Sequence, residues 1–362
     1  MAPDSIAAVI LLLGVAVLVA VATALFWDAA GPGRHLGPPP RWRVWVVRPL
    51  AVLLCLTSAG AAAVVIANRE LGFFGTWREL VGLGPASGGT TGVGTVTSST
   101  SGSRVVSFTV NGAASHLNLR AYAYLPPGYD VEVAKGERLP VLEMLAGFPG
   151  SPHVWLSTLD APQILDGEIA AGRMAPTVVV FPYQTVTSAR DTECVNAVGG
   201  VAMDTFLSVD VPATVDKLFQ VRTDTGWGVL GLSTGGYCAV NLALRHPDRY
   251  AAAVSLAGNM SPYLDAATGD LFRGDRTAAN LNNPLWRLKN LRPEPQAFYL
   301  ATGLNDHEAV DDLQRFVSLA RPPMRVTTAA LSHTGHTLAA FRAFEAPAYD
   351  WVSSWLAGPA GR

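Results

Sequence analysis

The chain has 362 residues, a formal net charge of -2 and only 15% charged residues. That balance excludes the basic footprint of a nucleic-acid-binding protein, and the length suits one large domain with an accessory segment. Its 3 cysteines are too few for a disulfide-stapled scaffold.

The apolar excess is concentrated at the N-terminus. Residues 6–27 carry no charge and are long enough to cross a bilayer as a helix, and residues 49–68 form a second uncharged run. Met1-Ala-Pro-Asp-Ser5 lacks the basic stretch of a cleavable signal peptide, so a transmembrane helical hairpin is expected. Between the runs lie Arg34, Arg41, Arg43 and Arg48, whereas the extreme N-terminus offers only Asp4. Positive residues stay inside, which makes the loop cytoplasmic and sends both ends outward. An internal cleaved signal, built from residues 41–48 and 53–63 with Ala59-Gly60-Ala61, is the alternative, and either arrangement exports the remainder. Phe73, Phe74 and Trp77 suit a membrane interface. Residues 87–103 are almost entirely Ser, Thr and Gly, a flexible linker spanning roughly 20–25 Å. The expected organisation is a membrane anchor over 1–86, a linker over 87–103 and an extracytoplasmic domain over 104–362.

From residue 104 the pattern alternates strands with helices, which predicts one α/β domain. Strands are expected over 105–110, 117–124, 139–145 and 177–181. A helix is expected over 162–173, and an amphipathic one over 204–220 with Phe206, Leu207, Val211, Val215 and Leu218 as its apolar stripe. A further strand runs into Gly228-Val-Leu-Gly-Leu-Ser-Thr-Gly-Gly-Tyr237, which carries a G-x-S-x-G pattern on Ser233. A helix-like run leaves it, so Ser233 is placed on a strand-to-helix turn, the nucleophile elbow that exposes a serine hydroxyl to a base. Strands follow at 250–256, 296–302 and 325–331, the last taken as a core strand. Residues 257–295, rich in Asn, Asp, Gly and Pro, read as an irregular insertion against which Phe272, Leu285 and Trp286 pack.

An acid and a base are then required in that order. The strand at 296–302 ends in Gly303-Leu-Asn-Asp306-His-Glu308, which makes Asp306 the acid, with Glu308 in reserve and Asp311 and Asp312 on a solvated helix face. After the strand at 325–331 comes Ser332-His-Thr-Gly-His336-Thr. His336 is preferred to His333 because a glycine precedes it and an apolar helix, 338–344, fixes the loop behind it. Acyl transfer also needs N–H donors for the carbonyl oxygen. One is expected at Thr234, directly after the nucleophile. The second is expected in Ala146-Gly-Phe-Pro-Gly150, where Pro149 has no N–H and Phe148, with Gly150 behind it, is the candidate. Cys194 and Cys238 could pair in an exported protein, while a small buried residue is the plainer reading of Cys238. No metal and no cofactor are expected, because no compact ligand set surrounds the histidines.

The runs Asp204-Thr-Phe-Leu-Ser-Val-Asp-Val-Pro212, Gly231-Leu-Ser-Thr-Gly-Gly236 and Leu244-Arg-His-Pro-Asp-Arg-Tyr250 resemble the α/β-hydrolase family of esterase D-type enzymes and secreted mycolyltransferases. The similarity extends from about Val105 to Trp355 and leaves out the hairpin. Gly335-His336 followed by Phe341-Arg342 resembles that family's histidine segment. The resemblance implies the triad Ser233, Asp306 and His336, with Phe148 as the first oxyanion amide. It departs at Ala146, where many family esterases carry histidine. The expectation is an α/β-hydrolase fold, a mostly parallel central sheet flanked by helices, preceded by the transmembrane hairpin. The expected activity is serine-dependent hydrolysis of acyl esters of the cell envelope, lipid or glycolipid, with acyl transfer or a silent surface binder as alternatives.

Overall fold

The computed structural model describes residues 1–27, 41–84, 93–222 and 227–356. They divide into two compact units, residues 1–80 and 81–362.

In the first unit α1 (Ile6–Phe26) and α2 (Arg41–Leu71) pack against each other, and α3 (Trp77–Leu80) is one short turn. Ala8 and Val9 close onto Val65, where small side chains let the helices approach. Arg69 donates to Asp4 O at 3.1 Å, and the Trp77 indole donates to Met1 O at 2.9 Å, so the start of α1 lies beside the end of α2. The second helix begins before Pro49, which lies inside it. Two stretches, Ile6–Phe26 and Trp45–Leu71, are long and apolar enough to cross a membrane. The loop carrying Arg34, on which the expected orientation rests, lies outside the described residues.

The second unit is built on one nine-stranded sheet in the order β1-β2-β3-β5-β4-β6-β7-β8-β9. Three strands, β1 (Gly94–Ser98), β2 (Arg104–Asn111) and β3 (Asn118–Leu125), are antiparallel, and β3 pairs antiparallel with β5 (Val178–Pro182). From there the sheet is parallel through β4 (Val141–Leu145), β6 (Trp227–Leu232), β7 (Tyr250–Leu256), β8 (Ala297–Gly303) and β9 (Arg325–Leu331). Strands β4, β5, β6 and β8 are buried throughout, as expected of parallel strands covered on both faces. One layer buries Phe206, Val215 and Leu242 on one face, and another buries Leu165, Phe344 and Val352 on the other. The helices are α4 (Tyr129–Ala134), α5 (Ala161–Ala170), α6 (Met203–Thr205), α7 (Val211–Leu218), α8 (Thr234–Arg245), α9 (Arg276–Leu281), α10 (Pro284–Asn290), α11 (His307–Leu319) and α12 (Leu338–Leu356). This is the α/β-hydrolase fold. Chain order reverses between β4 and β6, and ligands of such sheets bind at the carboxyl ends of strands flanking that point.

Several elements differ from the sequence reading. Residues 87–92 of the expected linker lie outside the described residues, but its second half is no linker. Thr95, Val96 and Thr97 favour an extended chain, and the segment pairs as β1 with β2. Ser101 and Ser103 then donate to Asp166, which also accepts from the Tyr124 hydroxyl at 2.6 Å. The helix expected over 204–220 is interrupted by a π-helical turn, Phe206–Asp210. The wider turn advances the buried face, so Leu218 is 37% exposed and Phe219 takes the inner place. Residues 257–295 hold α9 and α10, because Asp275 accepts from Thr277 N and Ala278 N, and Asn283 from Trp286 N. Residues that read as breakers are caps. Strand β9 is an exposed edge rather than a core strand. Asp312 is buried and accepts from Met260 N at 2.7 Å.

Candidate active site

Strand β6 delivers the chain to Ser233 at φ 55°, ψ -127°, a conformation costly to any side chain and tolerated only where packing fixes it. Packing does so here. A Cβ on Gly231 would collide with Gly235 O, and one on Gly235 with Leu145 O and Ala146 O. The first turn of α8 is thus pressed against both its own strand and the end of β4, a fit open only to glycine. Ser233 N donates to Leu256 O at 2.8 Å, which ties the turn to β7.

The three expected groups meet in one chain of hydrogen bonds. His336 Nε2 lies 2.9 Å from Ser233 Oγ, and His336 Nδ1 lies 2.7 Å from Asp306 Oδ2. With Asp306 ionised, Nδ1 carries the proton and Nε2 is left to accept from the serine. Asp306 lies just after β8 and caps α11, its Oδ1 accepting from Ala309 N. One oxygen anchors the carboxylate while the other holds the ring. Phe341, on α12, sets its ring edge-on to His336 at 5.2 Å between centroids. Glu308 lines the cleft without meeting His336, and His333 is exposed with its backbone at φ 61°.

The loop after β4 closes over the elbow. A Cβ at Gly147 would stand 3.0 Å from Ser233 Cβ, so the main chain leading into Phe148 passes in contact with Ser233. Thr234, the other expected donor, opens α8 and lines the same cleft. The cleft has a volume of about 140 Å³ and is also lined by Asn259, Tyr263 and Ala309.

Behind these loops the cysteine pair is as the sequence suggested, while the polar contacts around it were passed over. Cys194 and Cys238 are joined by a disulfide, which fastens the segment after β5 to α8. In that segment the Gln184 amide donates to Ala146 O, and Thr192 Oγ1 donates to Gln184 O at 2.6 Å. Asp191 accepts from Glu193 N at 2.9 Å and lies beside the Thr234 side chain. Burial pushes the Asp191 carboxyl up to about 6, and burial and the neighbouring Asp191 push Glu193 up to about 9. Phe272 packs with Val195 and Leu271, in keeping with the packing role expected of it.

Comparison with known proteins agrees with the fold. Residues 114–329 match the Esterase family model, described as "Putative esterase". An uncharacterised protein of Corynebacterium glutamicum is 30% identical over 243 residues, covering 64% of this chain and 56% of that protein. An endo-1,4-beta-xylanase/feruloyl esterase of Xylanibacter ruminicola is 31% identical over 137 residues, covering 36% of this chain and 18% of that protein. The chain therefore spans only about half of the first relative and less than a fifth of the second. Among solved structures, an S-formylglutathione hydrolase from Agrobacterium tumefaciens superposes with a TM-score of 0.61 at 16% identity, covering 73% of this chain and 99% of that one.

Proposed function

The chain belongs to the Esterase family, and on that premise we propose that it is a membrane-anchored serine esterase acting on acyl esters outside the cytoplasm. The observation that carries this reading is the continuous bond series Asp306, His336, Ser233 at the end of the elbow strand. Ser233 Oγ attacks the acyl carbonyl as its proton passes to His336 Nε2, while Asp306 stabilises the imidazolium. The carbonyl oxygen, now negative, is held by the N–H groups of Phe148 and Thr234. When the tetrahedral intermediate collapses, the alcohol leaves with the proton from His336. Water then repeats the cycle on the acyl-enzyme and releases the acid.

The anchor is inferred from the two apolar helices, which leave large side chains such as Leu18, Leu25 and Leu56 more than 60% exposed. A soluble domain would bury them, whereas lipid accommodates them. With the hairpin's arginines on the cytoplasmic side, the hydrolase domain faces outward, and esters of the cell envelope are its nearest substrates.

Short-chain p-nitrophenyl esters and a fluorophosphonate probe test the reading together. Ser233→Ala should lower turnover by roughly 10³-fold or more and abolish labelling. Unchanged turnover in that variant would refute the assignment. Product analysis with and without a glycan acceptor separates hydrolysis from transfer, since free acid as the sole product excludes transfer to that acceptor.

A further inference from the structure

The N–H groups proposed to hold the oxyanion come from segments far apart in sequence. Phe148 follows β4 and Thr234 opens α8. Oxyanion stabilisation depends on donors standing where charge develops, so a displacement of a fraction of an ångström matters. What keeps the two arms in register is therefore part of the machinery.

Both arms are held by the same segment. Gln184, buried at 5% exposure, donates to Ala146 O, the carbonyl one residue before Gly147. That carbonyl also abuts Gly235 on α8, so its peptide is gripped from two sides. Eight residues further round the loop, Thr192 Oγ1 donates to the Gln184 carbonyl and accepts from Cys194 N at 3.2 Å. Asp191 lies beside the Thr234 side chain, which draws its carboxyl pKa down against the effect of burial. The Cys194–Cys238 disulfide then fastens the loop to α8, one turn beyond Thr234. Glu193 and Cys194 adopt left-handed backbone, at φ 47° and 50°, which turns Cys194 back toward the helix. Glu193 Oε1 accepts from Tyr263 N at 2.8 Å, extending the same support to a residue that lines the cleft.

We propose that the disulfide-clipped loop from Gln184 to Cys194 is a brace that sets the oxyanion hole, with Gln184 positioning the Phe148 arm and Asp191 positioning the Thr234 arm. Neither residue touches substrate, so both are positioning residues, and the proposal rests on the serine esterase reading above. Their effect belongs to the transition state, where the oxyanion exists, and not to ground-state binding.

The test uses the full chain in detergent, with Gln184→Leu and Asp191→Ala each measured on a short p-nitrophenyl ester and on a trifluoromethyl ketone, which mimics the tetrahedral oxyanion. In variants that keep near-wild-type melting temperatures, kcat should fall about tenfold to a hundredfold with KM changed less than about threefold. The ketone's Ki should rise by the same factor as kcat/KM falls. A support role confined to folding would lower the melting temperature and leave the Ki of the folded fraction unchanged. Wild-type kcat and Ki in both folded variants would overturn the brace while leaving the esterase reading intact. If Gln184→Leu does not fold, Asp191→Ala decides alone. Absence of Ser233-dependent turnover in the wild type would remove both readings.

Discussion

The two sides of the site are held by different means. On the nucleophile side the backbone does the positioning: α8 is buried from Gly235 to Leu244, glycines press the elbow against β4, and a disulfide ties the surrounding loop to the helix. On the base side a side-chain bond does it. His336 stands on a loop after an exposed edge strand, its side chain 46% exposed, and is oriented by Asp306 and the edge of Phe341. A backbone-determined group cannot be misplaced without disturbing the fold, whereas a group aimed by one carboxylate can be misdirected in a protein that stays folded.

That difference is sharpest in Asp306→Asn. Asparagine keeps an oxygen to cap α11, so the helix start survives. The lost carboxylate no longer fixes the His336 tautomer, and kcat for ester hydrolysis should fall about 10²- to 10⁴-fold with the melting temperature nearly unchanged. A drop in stability matching the drop in rate would show that the base side is also built by packing.

Breaking the nucleophile side should show the opposite balance. Removing the disulfide as Cys194→Ala with Cys238→Ala should cost about 2–4 kcal/mol of stability, read from urea unfolding of the hydrolase domain. Its effect on kcat should be smaller than that of Asp306→Asn, since the hydrogen bonds of Gln184 and Asp191 remain. A variant as stable as the wild type would mean that the loop needs no covalent tie.

The contrast also explains which parts of the site were legible in the sequence. Ser233 was readable because the elbow compresses its steric demands into Gly231 and Gly235, two residues either side. Asp306 and His336 were readable because each follows a strand in a fixed order along the chain. Gln184 and Asp191 carried no such signal. Their partners, Ala146 and Thr234, lie about 40 residues away, and only the fold joins them. In residues 257–295 the chemistry was seen and its sense mistaken, since Asp275 and Asn283 start helices as readily as they end them. Glu143 was the reverse case, a charge inside the apolar run of β4 that periodicity passed over.

Glu143 allows a smaller separation of the two sides, by pH. It is fully buried on β4, its Oε2 accepting from the Tyr250 hydroxyl at 2.7 Å while Oε1 has no partner among the described residues. Burial pushes its carboxyl up to about 8, against weaker pulls downward from the Tyr250 hydroxyl and the Arg249 charge. Between the ordinary carboxyl range near 4.5 and about 8, the folded chain keeps a proton that the unfolded chain has lost. The stability linked to that proton is complete below the ordinary range and declines as pH rises toward 8. Glu143→Gln cannot ionise, so its melting temperature relative to wild type should climb by several degrees from pH 5 to pH 8. The shape of its pH profile for ester hydrolysis should not move, because Glu143 makes no bond to Ser233, His336 or Asp306. Parallel melting curves across that range would show that Glu143 titrates alike in both states. A displaced activity profile would show instead that the buried strand and the exposed base are electrostatically joined.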